Sequence, residues 1–231
     1  SRDEEGIRKT SSHILVMATI LGLIMGIVSL ILSSHIPVWM GAEKNIQQQA
    51  SLYFFIISMP MLFRSYSIVL GAAIRATKDT RTPMVINLAA NLLNVALNFL
   101  MIYIWGWGVT GAAVASAISY TVSGICMFLL YRRNRLLFWE WKQFKWDVSI
   151  IQNCFNISLP VLGTNVASCF GYVVFASLVT GMGNTVFAAH SIAVTAETIF
   201  YIPGYGLRMA TSTLVGISLG ERNRKKFRFH D

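Results

Sequence analysis

Six stretches of the chain run almost uncharged for about 20 residues or more, the length a helix needs to cross a bilayer. They cover 13–33, 52–74, 83–104, 109–131, 151–181 and 187–219. Their apolar residues come in solid blocks. A β-barrel strand would instead alternate over about 10 residues. Composition agrees: hydrophobic residues make up 55% of the chain and charged residues 13%, against roughly 25% charged in soluble domains. The expected fold is all-α, a polytopic membrane bundle of six transmembrane helices.

The loops set the orientation, because Lys and Arg collect on the cytoplasmic side. Arg2, Arg8 and Lys9 precede the first block, and Arg75, Lys78 and Arg81 follow the second. Arg132, Arg133, Arg135, Lys142 and Lys145 follow the fourth, and Arg222, Arg224, Lys225, Lys226 and Arg228 lie in the tail. The intervening loops hold only Lys44. Both chain ends are therefore expected in the cytoplasm, with the protein multi-pass in the plasma (inner) membrane. Trp105-Gly106-Trp107-Gly108 is only a tight turn, so blocks three and four are antiparallel neighbours.

The six Trp residues lie near block ends, at the headgroup level that suits an apolar ring with one N–H. Residues 132–147 mix bases with Leu136, Phe138, Trp139, Trp141, Phe144 and Trp146, the pattern of an amphipathic segment on the membrane surface. Three parts are expected: a four-helix bundle over 1–131, a cytoplasmic linker over 132–150 and a two-helix bundle over 151–231. The net charge of +9 is spread over loops between spans. Anionic lipid headgroups suit it as partners, and nucleic acid does not.

The charged knot between blocks two and three contains Asp79, just ahead of Pro83. Proline suits the first turn of a helix, and a carboxylate there accepts backbone N–H groups at the positive end of the helix dipole. Asp79 is expected to cap, with Thr80 or Thr82 as the competing cap.

Polar residues inside the blocks are the candidate functional groups. Asn87, Asn91, Asn94 and Asn98 are spaced by four, three and four, which puts them on one helix face. Amides are costly facing lipid, so that face meets other helices as hydrogen-bonding glue or lines a wet cavity. Glu197 is the one acid inside a block. An intramembrane carboxylate is expensive, and burial favours its neutral form, so it could load and release a proton. The competing role is a salt bridge to Arg64 or Arg208, the bases within blocks.

Pro203, Gly204 and Gly206 follow Glu197 and mark a hinge, and Pro160 marks another. Asn165, Ser168 and Tyr172 share a face in block five, and together with Tyr201 they are candidate cavity-lining residues. Gly22 and Gly26 form a GxxxG pair, and Gly111, Ala112, Ala115 and Ser116 are small at four-residue spacing. Both are signals of close helix packing. Cys126, Cys154 and Cys169 have no paired spacing, the four His are scattered and no phosphate-binding Gly-rich motif occurs. Neither an enzyme nor a bound cofactor is expected.

The stretch GAAIRATKDTRTPMVINLAANLLNVALNFLMIY resembles the loop between the fourth and fifth helices of the multidrug and toxic compound extrusion (MATE) family. WGWGVTGAAVASAIS resembles the family's next turn and sixth helix. AAHSIAVTAETIFYIPGYG and TLVGISLGERN resemble its eighth helix. The bacterial DNA-damage-inducible-like branch is the most similar. The resemblance implies helices three to eight of a twelve-helix, two-lobed transporter, hence a fragment that packs with the remaining helices. The chain's two charged ends also align weakly, Arg2 with Arg222 and Arg8 with Arg228, as an internal repeat would.

The implied function is secondary active efflux of small organic, often cationic, drugs or metabolites in exchange for protons or sodium ions. In part of the family this helix places an Asn and an Asp four residues apart beside a cation site. Asn94 and Asn98 match that spacing, with Asn98 where the acid would stand. Its carbonyl can coordinate but cannot release a proton. Two alternatives stay open. A lipid-linked-oligosaccharide flippase of the same superfamily would carry a more basic cavity. A non-transporting membrane scaffold would need neither Glu197 nor the Asn face.

Cysteines introduced singly at Asp79 and Lys142 are expected to stay protected from an impermeant thiol reagent in intact cells. Cysteines at Lys44 and Asn184 are expected to label. External labelling at position 79 would invert the orientation.

Overall fold

The computed structural model describes residues 2–39, 44–137, 146–180, 182 and 184–228. Its described elements are helical: α1 (Arg2–Leu32), α2 (Ile36–Trp39), α3 (Lys44–Ser58), α4 (Met61–Ala76), α5 (Arg81–Asn98), α6 (Gly108–Arg133), α7 (Val148–Thr180) and α8 (Asn184–Arg228). A π-helical turn, Phe99–Ile104, continues α5. The chain divides into two compact units, Ser1–Trp146 and Asp147–Asp231. The amphipathic segment expected within 132–150 includes 138–145, which lie outside the described residues.

Among the described residues, four helices are long and apolar enough to cross a membrane, or five if α3 and α4 form one bent span. Two of the six expected blocks fall outside that count of four. Block two is broken, with α3 and α4 meeting at 47°. Pro60 causes this: it has no N–H to donate, and its ring crowds the carbonyl four residues back. Met59 N–H turns instead to Ile56 O at 3.3 Å, and Arg64 N–H restarts the helix on Pro60 O at 2.9 Å. Block six lies within α8 (Asn184–Arg228), which is not among those four. The helices α7 and α8 run through Pro160 and Pro203 as single elements, so the break in the chain falls at Pro60.

In the first unit α6 packs against α3, α4, α5 and the π turn, while α1 packs on α4 and α3. Leu15, Leu70, Ile74, Met127, Tyr131 and Leu137 form a buried cluster, with Tyr66 and Phe128 stacked beside it at 5.4 Å. Between membrane helices, close packing and hydrogen bonds replace the hydrophobic drive, since lipid is as apolar as Leu. Small residues make that packing possible. A Cβ on Gly22 would lie 3.0 Å from Ser65 Cβ, and one on Gly111 3.0 Å from Met101 Cβ. The tightest approach is at Gly124, where a Cβ would lie 2.6 Å from Phe63 Cα and against the Phe63 carbonyl.

Hydrogen bonds tie the same helices. Ser65 Oγ donates to Ala18 O at 2.9 Å, and the Thr19 and Tyr66 hydroxyls meet at 3.0 Å. At the other end of α6, buried Ser11 donates to the Tyr131 hydroxyl at 2.8 Å, which donates to Leu137 O at 3.2 Å. Buried His13 sets its ring edge-on to Trp146, with centroids 6.2 Å apart.

The turn from α4 to α5 is ordered by Asp79. Lys78 adopts the left-handed conformation, φ 71°, which points the chain back, and Asp79 Oδ1 accepts Thr82 N–H at 3.1 Å. Thr80, at the helix boundary, makes no capping bond through its side chain. The Thr82 hydroxyl, with the N–H groups of Thr82 and Arg81, holds the Asp79 carboxyl below the usual carboxylate range.

Gly124→Ala is expected to lower stability by about 1–3 kcal/mol through overpacking. Gly26→Ala, whose Cβ would sit 3.5 Å from Met61 Cβ, should be close to neutral. Thermal unfolding of both variants in one detergent checks the contrast. Asp79→Ala is expected to cost about 1 kcal/mol and Asp79→Asn less, since an amide oxygen still caps. A carboxyl with a depressed folded pKa stabilises fully above its unfolded value and loses that contribution as pH falls through the folded value. The gap between wild type and Asp79→Ala should therefore be full at neutral pH and close in acid.

Candidate functional site

The Asn face of α5 meets a matching polar face on α6. Ser116, Tyr120 and Ser123 are spaced by four and three, so they share one side of that helix. At one end of this ladder, Asn94 Nδ2 donates to Ser116 Oγ at 3.3 Å, and Asn98 Nδ2 donates to Asn94 Oδ1 at 2.9 Å. At the other end, Ser67 of α4 and Ser123 join hydroxyls at 2.7 Å, and both approach Asn87 Oδ1 at 3.4 Å. Between them, Arg64 of α4 sets its guanidinium 5.0 Å from the centroid of the Tyr120 ring.

Within this ladder Asn87 is tied into a three-helix hydrogen-bond knot, while Asn91 is exposed. The Asn94–Asn98 pair differs. Asn98 Oδ1 is buried and lacks a hydrogen-bond partner among the described residues. A buried acceptor without a donor costs about 1–3 kcal/mol. The pair thus presents an amide carbonyl with unused lone pairs inside the span. Hard cations take such oxygens as ligands.

The second unit carries the remaining candidates. The Tyr201 hydroxyl lies close to the Glu197 carboxyl one turn back along α8, with Tyr172 of α7 and Tyr205 nearby. Phe175 of α7 packs edge-on to His190 of α8 at 5.3 Å. Ser168 donates to Thr164 O at 2.9 Å, as membrane-helix serines do when they face away from partners. Asn165, Ser168, Tyr172, Glu197 and Tyr201 are exposed on this unit, as are Pro160, Pro203, Gly204 and Gly206. The burial expected for Glu197 is not met within its own unit, because two helices cannot enclose a side chain on all sides.

Sequence spacing pointed to the Asn face but not to its partners. Ser67, Ser123 and Tyr120 come from distant segments. Their signal was present only in part, as hydroxyls at four-three spacing in a helix otherwise made of small and apolar residues.

This geometry meets an independent finding. The MatE family model matches residues 1–100 and 160–230. The chain belongs to the MatE family. A Thermotoga maritima relative described as a probable multidrug resistance protein NorM is 27% identical over 229 residues, covering 96% of this chain and 49% of that protein. Protein DETOXIFICATION 43 of Arabidopsis thaliana is 26% identical over 216 residues, covering 90% and 40%. The chain spans about half the length of the curated relatives it matches.

Among solved structures, a MOP superfamily transporter from Pyrococcus furiosus, described as having a binding pocket of reverse polarity that suggests a different function, superposes with TM-score 0.86 at 23% identity. The match covers 98% of this chain and 51% of that one. The outward-facing conformation of a multidrug resistance MATE family transporter also superposes with TM-score 0.86 at 23% identity, over 99% and 51%. These likenesses show the fold: an all-α polytopic membrane bundle.

Asn87→Ala should release the Ser67–Ser123 knot and lower thermal stability by about 1 kcal/mol, the scale of one interhelical bond in a membrane bundle. Asn91→Ala, on the exposed part of the same face, should be near neutral. A larger loss at position 91 than at 87 would reverse the assignment of glue and free face.

Proposed function

We propose that the chain is part of a secondary active antiporter that exports small organic, often cationic, compounds in exchange for protons or sodium ions. It would correspond to helices three to eight of twelve, with 1–131 closing one lobe, 132–150 linking and 151–231 opening the other. Both ends would lie in the cytoplasm. The motif at 71–84 supports a DNA-damage-inducible-like branch, while the bacterial relative named above carries the NorM name.

The observation that carries the proposal is the Asn94–Asn98 pair with its buried, unpartnered Oδ1. Unsatisfied acceptors are rare in native proteins and call for an explanation such as an ion or a functional role. A coupling cation supplies one: the Asn98 carbonyl would lend it an oxygen ligand, with Asn94 holding the Asn98 amide in place. Glu197 would carry the proton step that an amide cannot perform, with the Tyr201 hydroxyl orienting its carboxylate. Asn165, Ser168 and Tyr172 would line the path beside it, and the turns at Pro160, Pro203, Gly204 and Gly206 would absorb the bending that alternating access requires.

The test is transport by the full gene product in proteoliposomes at matched protein levels, driven by an imposed proton or sodium gradient. Glu197→Gln should insert and fold normally yet lose most of its ion-coupled efflux. Asn98→Leu should weaken the dependence on the driving ion, while Asp79→Asn keeps much of the activity. Normal transport by Glu197→Gln together with loss in Asp79→Asn would exchange the roles of the two carboxylates.

A further inference from the structure

Arg64 is the charged member of the polar ladder along α6, and its height in the span sets the problem it poses. It lies twelve residues before Ala76 at the end of α4, about 18 Å at 1.5 Å per residue. Tyr120 lies near the centre of α6 (Gly108–Arg133), about 18 Å from one end and about 20 Å from the other. Two helices therefore place the guanidinium near mid-height of a hydrocarbon core about 30 Å thick. A charge there is expensive, and such residues face a bundle interior or a wet cavity and pair with an opposite charge. Arginine keeps its charge in proteins, so loss of a proton offers no escape.

The first unit supplies no such partner within a span. Its acids are Asp3, Glu4, Glu5, Glu43, Asp79 and Glu140, all outside the apolar blocks. Arg64 is nonetheless exposed on the unit and held in place. The tight contact of Phe63 with Gly124 is one residue away along α4, and the Ser67–Ser123 bond is one turn away. The break at Pro60 lies one turn in the other direction. Interrupted apolar segments are the pointer to substrate sites in transporter folds. The guanidinium carbon sits over the Tyr120 ring, and a cation so placed is attracted by the ring's quadrupole. The planar fork of a guanidinium matches a carboxylate with two parallel hydrogen bonds.

We propose that Arg64, positioned by Tyr120, binds the carboxylate of a small organic anion at mid-height of the first unit. The exported range would then include anionic and zwitterionic compounds beside cations, a clause that rests on the transporter assignment above.

Equilibrium dialysis of the full gene product in lipid nanodiscs is carried out with 1-naphthoate and with 1-naphthylmethylammonium, which share a ring system and differ in charge. Wild type is expected to bind both. Arg64→Gln should weaken 1-naphthoate by roughly tenfold or more, the scale of a charge-assisted hydrogen bond, and leave the ammonium probe unchanged or tighter. Tyr120→Leu should weaken 1-naphthoate and Tyr120→Phe should not, because the ring alone positions Arg64. This pair carries the test if Arg64→Gln does not elute as a monodisperse species.

Equal binding of 1-naphthoate by wild type and Arg64→Gln, or equal binding by both Tyr120 variants, overturns the proposal. Binding of the ammonium probe alone removes the anion site and leaves the antiporter assignment standing. Binding of neither probe removes both.

Discussion

No side chain fits between Gly124 and the backbone of Phe63, and the first unit is organised around that contact. In lipid there is little hydrophobic gain in bringing two helices together, so stability rests on how closely backbones approach and which polar groups they then reach. Here the approach brings Ser67 within 2.7 Å of Ser123 and sets Arg64 on Tyr120. The same helix, α6, presents Ser116 to Asn94. A change that separated α4 from α6 would disturb all of these at once, because the polar pairs have short side chains and little reach.

The polar ladder shows how one set of residues divides between cohesion and function. Asn87 places its oxygen against a pair of hydroxyls that are bonded to each other, and that pair has one proton left to donate to it. Asn98, three helical turns further, keeps an oxygen unused inside the protein. Their chemistry is identical. The difference lies in the facing helix, which offers hydroxyls at Ser123 and Ser116 and small apolar residues beyond them.

The long apolar blocks made the membrane class, the helix content and the order of elements legible from sequence, since length and uniform apolarity are local properties. Asp79 was legible for the same reason: its partner Thr82 lies three residues on. The break at Pro60 was visible as a proline but hidden by its setting, Ser58-Met59-Pro60-Met61-Leu62, which is apolar enough to read as uninterrupted span. The partners of the Asn face were out of reach, since nothing local links position 94 to 116 or 64 to 120. Side-chain surroundings of Glu197 depend on elements beyond α7 and α8, so neither the sequence nor the unit fixes them.

The π turn at Phe99–Ile104 has a consequence for register. Trp105 N–H bonds to Leu100 O, five residues back, and Trp107 N–H reaches Met101 O. A π turn is an α-helix carrying a surplus residue. Each residue of an α-helix advances the azimuth by about 100°, so the surplus shifts the phase of whatever follows relative to what precedes. The Asn face of α5 is therefore set by α6, while Tyr103, Trp105 and Trp107 take a phase of their own and are left exposed. Gly106 and Gly108, both at positive φ, then close the turn without forcing the aromatic residues back into line. The helix behaves as two segments with independent rotational settings, one tuned to the bundle and the other to the membrane boundary.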